Sequence, residues 1–150
     1  MLAGLWPAIT RRGTRILAMD AVDLLKQVPL FSDLEDRELQ QIANGMKQRT
    51  FSAGQEIAVE GQSGVGFFVI EDGNAKVTVG GDEVRTLGPG DYFGEVALIT
   101  QGARTATVTA DTDLKTYGMT FWEFRPMVED TPSLAWKLLQ SAVKTYAPTH

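Results

Sequence analysis

Residues able to do chemistry are concentrated between Phe93 and Val108 of this 150-residue chain. The run Phe93-Gly94-Glu95-Val96-Ala97-Leu98 interrupts an alternating pattern, and Arg104-Thr105 follows a few positions later. A glycine in such a run lets the main chain approach another group closely. The four residues after it can wind one helical turn, whose leading amides form an anion site. An arginine adds a planar fork of donors that grips two phosphate oxygens at once. A carboxylate and a guanidinium beside such a turn suit a ligand that carries both a phosphate and a free hydroxyl.

Composition removes most other chemistry. There is no cysteine, and the sole histidine is His150 at the chain end. Thiolate metal sites, cysteine nucleophiles and Ser-His-Asp machinery need side chains that are missing or terminal. No catalytic residue, metal or cofactor is expected. The formal net charge is −5, whereas sequence-independent nucleic-acid binding needs a basic face that releases phosphate counterions. Direct DNA binding is therefore not expected. No run of about 18 apolar residues is present to form a membrane span, and a cytoplasmic setting is the expectation.

The elements that must position these residues can be read from periodicity and punctuation. Residues 1–19 are apolar and then carry Arg11, Arg12 and Arg15, the reverse order of a secretory signal. They are read as a disordered leader ahead of a domain covering 20–150. The spacing predicts a short helix from Asp20 to Val28, stopped by Pro29. Ser32-Asp33-Leu34-Glu35 reads as a capping box before a helix bearing Leu39, Ile42, Ala43 and Met46 on one side.

From Arg49 to Met119 the period becomes two, with turn signals at Ala53-Gly54, Asp72-Gly73, Gly80-Gly81-Asp82 and Gly88-Pro89-Gly90-Asp91. Thr120-Phe121-Trp122-Glu123 reads as a second capping box, and Thr131-Pro132 opens the last helix. The expected fold is mainly β with flanking helices: an antiparallel β-roll or jelly-roll of about eight strands, N-terminal helices before it and two C-terminal helices after it.

The run from Phe93 to Leu98, followed by Arg104-Thr105-Ala106-Thr107-Val108, resembles the phosphate-binding cassette of cyclic-nucleotide-binding domains. Such domains occur in protein kinase A and G regulatory regions, cyclic-nucleotide-gated channels and bacterial catabolite activator proteins. Leu30-Phe31-Ser32-Asp33-Leu34 is similar to the family's opening phrase. Glu60-Gly61-Gln62-Ser63-Gly64 with Phe68-Val69-Ile70 and Gly73 is similar to its middle strands, and Leu87-Gly88-Pro89-Gly90-Asp91-Tyr92 to its lead into the cassette.

The resemblance implies a non-catalytic sensor that takes cAMP, with cGMP as the alternative. It implies that Glu95 accepts the ribose 2′-hydroxyl and that Arg104, in water until then, pairs with the cyclic phosphate. Gly94 and the amides of Val96, Ala97 and Thr105 would complete the cradle, with Val96 and Leu98 facing the core. The last helix would signal as a moving lid over the base, with Leu138, Leu139, Val143 and Tyr146 as its candidate contacts. A threonine at the Thr105 position occurs both in cGMP-selective kinases and in channels that prefer cAMP, so it leaves the base open.

Output would pass through a homodimer, an effector protein in trans, or the rest of a larger cAMP-responsive regulator. The competing reading is a degenerate domain of the same fold that serves as a protein-interaction platform. A cupin-type enzyme would need several metal-binding histidines inside the roll. A catabolite-activator-type DNA reader would need a winged helix-turn-helix after the last helix.

Overall fold

A computed structural model describes residues 21–63, 66–100 and 102–146. The leader expected over residues 1–19 lies outside the described residues. The described residues divide into two compact units: one takes those up to Met46 and those from Glu123 onward, the other those within Lys47–Trp122.

In the helical unit, α1 (Ala21–Leu25) is followed by a 3-10 turn at Pro29–Phe31 and by α2 (Asp36–Asn44). After the strands come α3 (Phe121–Glu129) and α4 (Pro132–Tyr146). Leu25, Leu30, Phe31, Leu39, Ile42 and Leu134 are buried and form this unit's apolar interior. The capping box falls three residues later than its expected place. The Ser32 amide closes the 3-10 turn on the Pro29 carbonyl (3.1 Å). It is the Glu35 amide that is held, by Glu38 Oε1 at 2.8 Å, at the start of α2. Proline sets the earlier turn, so the longer helix has to start one turn on. Pro132 does open α4, whose buried face carries Leu134, Leu138 and Ser141.

The β unit corrects the expected architecture. Its strands are β1 (Lys47–Phe51), β2 (Glu56–Ala58), β3 (Phe67–Asp72), β4 (Ala75–Val79), β5 (Asp82–Leu87), β6 (Tyr92–Phe93), β7 (Thr107–Ala110) and β8 (Leu114–Met119). They form two separate four-stranded antiparallel sheets, ordered β1-β8-β3-β6 and β2-β7-β4-β5. No closed barrel and no continuous eight-stranded roll or jelly-roll forms. Alternation of apolar and polar residues reports that a strand buries one face; it carries no information about which strand it will pair with. The Gly and Pro breaks let the chain cross from one sheet to the other after almost every strand, and no ladder joins the two.

The sheets nevertheless share a core. Ile57, Phe68, Ile70, Ala75, Val77, Leu87, Phe93, Val108, Ala110 and Leu114 form one buried cluster drawn from both. Phe68 stacks on Phe93 with ring centres 5.3 Å apart and receives the edge of Phe51 at 5.8 Å. Each such large side chain contributes about 1.5–3 kcal/mol when fully buried.

Candidate functional site

The site begins at the end of β6, where Gly94 turns the chain into a 3-10 turn at Glu95–Leu98. Gly94 has φ 85° and ψ 13°, a left-handed conformation that costs a residue with a Cβ about 1–2 kcal/mol. A Cβ there would also strike the Gly66 carbonyl oxygen and come within 2.8 Å of Arg104 Nη1. Glycine is needed because a guanidinium packs against its α-carbon.

Arg104 is fixed at both ends. Its amide donates to the Gln62 carbonyl and its own carbonyl accepts from the Gly61 amide, each at 2.8 Å, just before β7. Its side chain is half-buried, and Nη2 donates to the Gly66 carbonyl at 2.6 Å. The expectation of an arginine lying in water is thus corrected. Nε is buried without a hydrogen-bond partner among the described residues. Burial pulls the guanidinium below its ordinary pKa, and the Glu95 carboxylate offsets only part of that; an arginine remains charged throughout.

The turn distributes its other side chains by geometry. Leu98 is buried at 1 % exposure, while Val96 is 46 % exposed, so Val96 does not face the core as expected. Residues two apart on a helical turn cannot share a face. The Ala97 amide, expected in the cradle, donates within the turn to the Gly94 carbonyl at 2.9 Å. The second amide of a 3-10 turn, that of Val96, has no intrahelical acceptor.

All six residues chosen from the sequence, Gly94, Glu95, Val96, Ala97, Arg104 and Thr105, line one cavity of about 380 Å³. Its further walls include Val77, Arg85, Tyr92, Phe93, Ala106 and Val108. Burial raises the Tyr92 phenol above its ordinary pKa, Glu95 and Asp91 add to the rise, and Arg85 opposes it. The four residues expected in the lid belong to α4 in the helical unit. Leu138 is 5 % exposed there, whereas Leu139, Val143 and Tyr146 are about half exposed.

Sequence reasoning missed Gly66 and Arg85. Gly66 contributes only a carbonyl, for which no side-chain signal exists. Arg85 carried a signal: it lies two residues before Leu87, and strand alternation puts both on the same face. Among the described residues no group of three or more potential ligands gathers to hold a metal. None of the described helices is long and apolar enough to cross a membrane.

A ligand-binding β unit with a glycine, a carboxylate and an arginine at one cavity is the architecture of a binding module, and similarity to known proteins gives its family. Residues 48–131, more than half of the chain, match the family described as the cyclic nucleotide-binding domain. The chain belongs to this family, and its domain is a non-catalytic, cyclic-nucleotide-binding regulatory module.

It is 44 % identical over 93 residues to a cAMP-dependent protein kinase regulatory subunit of Yarrowia lipolytica, covering 61 % of this chain and 25 % of that protein. It is 40 % identical over 87 residues to a cGMP-dependent protein kinase of Toxoplasma gondii, covering 58 % of this chain and 9 % of that protein. The crystal structure of the N-terminal domain of a transcriptional regulator from Streptomyces coelicolor superposes with a TM-score of 0.73 at 28 % identity, covering 81 % of this chain and 88 % of that one. The chain thus spans a quarter or less of the length of these curated relatives.

Proposed function

We propose that the cavity binds a purine 3′,5′-cyclic nucleotide through Arg104 and Glu95, and that occupancy is passed on through α4. The observation that carries this reading is the convergence of Gly94, Glu95 and Arg104 on one cavity, with the guanidinium held against Gly94. Arg104 supplies the charge-assisted pair to the cyclic phosphate. Its unpartnered Nε is a donor that a ligand oxygen would satisfy, relieving a buried-polar cost of about 1–3 kcal/mol.

Glu95, partly buried at the same cavity, accepts the ribose 2′-hydroxyl. The amides of Val96 and Thr105 complete the phosphate cradle; the Ala97 amide contributes by holding the turn. Leu139, Val143 and Tyr146 carry the lid, since Leu138 is already packed in the helical unit. Similarity to a cAMP-dependent regulatory subunit favours cAMP, and the output passes to a partner chain, a second copy or an attached effector, without direct contact to DNA.

The test is calorimetric titration of wild type, Arg104→Ala and Arg104→Lys with cAMP, each paired with a thermal melt. Truncating one partner of a desolvated charge pair costs about 2–5 kcal/mol, so the alanine variant is expected to bind roughly 30- to 5,000-fold more weakly. Lysine should restore only part, because a point charge cannot present the fork. A folded Arg104→Ala protein that binds as tightly as wild type would leave the interaction-platform reading in its place.

A further inference from the structure

Four strands end a sheet: β1 and β6 in one, β2 and β5 in the other. An edge strand carries unpaired main-chain donors and acceptors, and proteins commonly blunt it by shortness or by a bulge. Three of these edges are blunted in that way. β6 has two residues and β2 has three, and the β4–β5 ladder is broken by a register shift between Val77 and Thr78. β1 is different. Its five residues run in unbroken register along β8, from Lys47 opposite Gly118 to Phe51 opposite Leu114. Lys47, Gln48, Arg49 and Thr50 are all exposed.

Two hydrogen bonds give the orientation of this edge. The Arg49 carbonyl accepts from Thr116 Oγ1 of β8 at 2.9 Å, so it faces into the sheet. Main-chain groups alternate in direction along an antiparallel strand, and those of Gln48 and Thr50 therefore face outward. The Gln48 carbonyl accordingly accepts from Arg49 Nη1 at 3.1 Å and not from a strand. Side chains alternate as well. Phe51 packs against the shared core, and Lys47 and Arg49 continue its row beyond the rim of that core. The edge thus presents two cations at alternate positions, with outward main-chain groups between them, on a chain of net charge −5.

We infer that β1 takes an extended acidic segment of a partner protein as an added strand. The outward groups of Gln48 and Thr50 supply the ladder bonds, and carboxylates at alternate positions of the partner meet Lys47 and Arg49. An incoming amide takes over the Gln48 carbonyl and frees the guanidinium, which can then grip a carboxylate through two donors. A second copy of this chain fits poorly. The antiparallel register that pairs all five residues sets Arg49 against Arg49, and like charges directly opposite are destabilising. No β1 residue lines the nucleotide cavity, so this surface and the proposed function stand or fall separately.

The test is an NMR titration of nitrogen-labelled protein with a capped peptide of alternating glutamate and valine, and with its lysine counterpart. The acidic peptide should move the Gln48 and Thr50 amide signals, and the lysine peptide should not. Arg49→Glu should weaken the acidic peptide roughly 10-fold. Adding Lys47→Glu to it should reverse the preference in favour of the lysine peptide. Thr50→Pro removes an outward donor while sparing the bonds to β8, and it should abolish the response. A cAMP titration matching wild type checks that each variant is folded; should a charge reversal fail that check, Arg49→Gln removes the charge alone and should still weaken the acidic peptide.

The inference is overturned if the acidic peptide leaves the β1 amides unmoved, or if both peptides act equally. A response that survives Thr50→Pro also overturns it, leaving bulk charge attraction in place of strand addition. So does a wild-type dimer in sedimentation that Thr50→Pro disperses, which would give the edge to a second copy.

Discussion

In the proposed function Glu95 and Arg104 read different parts of one ligand, and this can be separated by substitution. Glu95→Ala is expected to weaken cAMP binding and to narrow its advantage over 2′-deoxy-cAMP, because the deoxy analogue never used the carboxylate. An unchanged ratio in parallel titrations would place recognition of the hydroxyl elsewhere. That these two residues come to one cavity was legible from type and spacing, since few ligands call for a glycine, a carboxylate and a guanidinium in one short segment. Their restraints were not legible. The Gly66 carbonyl that holds Arg104 lies 38 residues away in sequence, and Arg85 reaches the cavity only because β5 pairs with β4 in one register and not another.

Among the elements, α2 and α4 are joined by a small charged cluster. Glu38 is 3 % exposed, and its Oε1 accepts from the Glu35 amide at 2.8 Å and from Lys137 Nζ at 3.0 Å. Burial acts to raise the Glu38 pKa, but those hydrogen bonds and the Lys137 and Arg37 charges outweigh it and leave it lowered. Lys137 is raised, first through its bond to Glu38. A carboxylate with a lowered folded pKa takes its proton later than the unfolded chain does. Its stabilisation is then complete above the ordinary glutamate value of about 4.3 and is lost as pH falls through the folded value.

Lys137→Met should accordingly lower the melting temperature at pH 7 and do so less near pH 4, where Glu38 can be neutral. A deficit independent of pH would mean that Lys137 acts through its aliphatic stem alone. Element types and most helix starts could be read from the sequence, Pro132 most clearly. Strand partners could not, and the capping box was displaced because Pro29 claimed Ser32 for a turn of its own.

For the whole molecule, the sequence signals for caps and periodicity begin only at Asp20. A chain starting at Met19 is expected to melt at nearly the same temperature as the full chain and to bind cyclic nucleotide equally well. A loss of several degrees in a side-by-side melt would show that the first 18 residues contribute to packing. The net charge of −5 sets a second global condition, since an anionic ligand approaches against the protein's overall field. The bond from Arg104 Nη2 to the Gly66 carbonyl bears on this. Ordering a long charged side chain costs up to about 2 kcal/mol in lost rotamers, and here folding has already met that cost. The arriving anion finds its receptor group preorganised, so little of the binding energy is diverted to immobilising it. Differences between ligands should then be expressed mainly as residence times, with encounter rates left much alike.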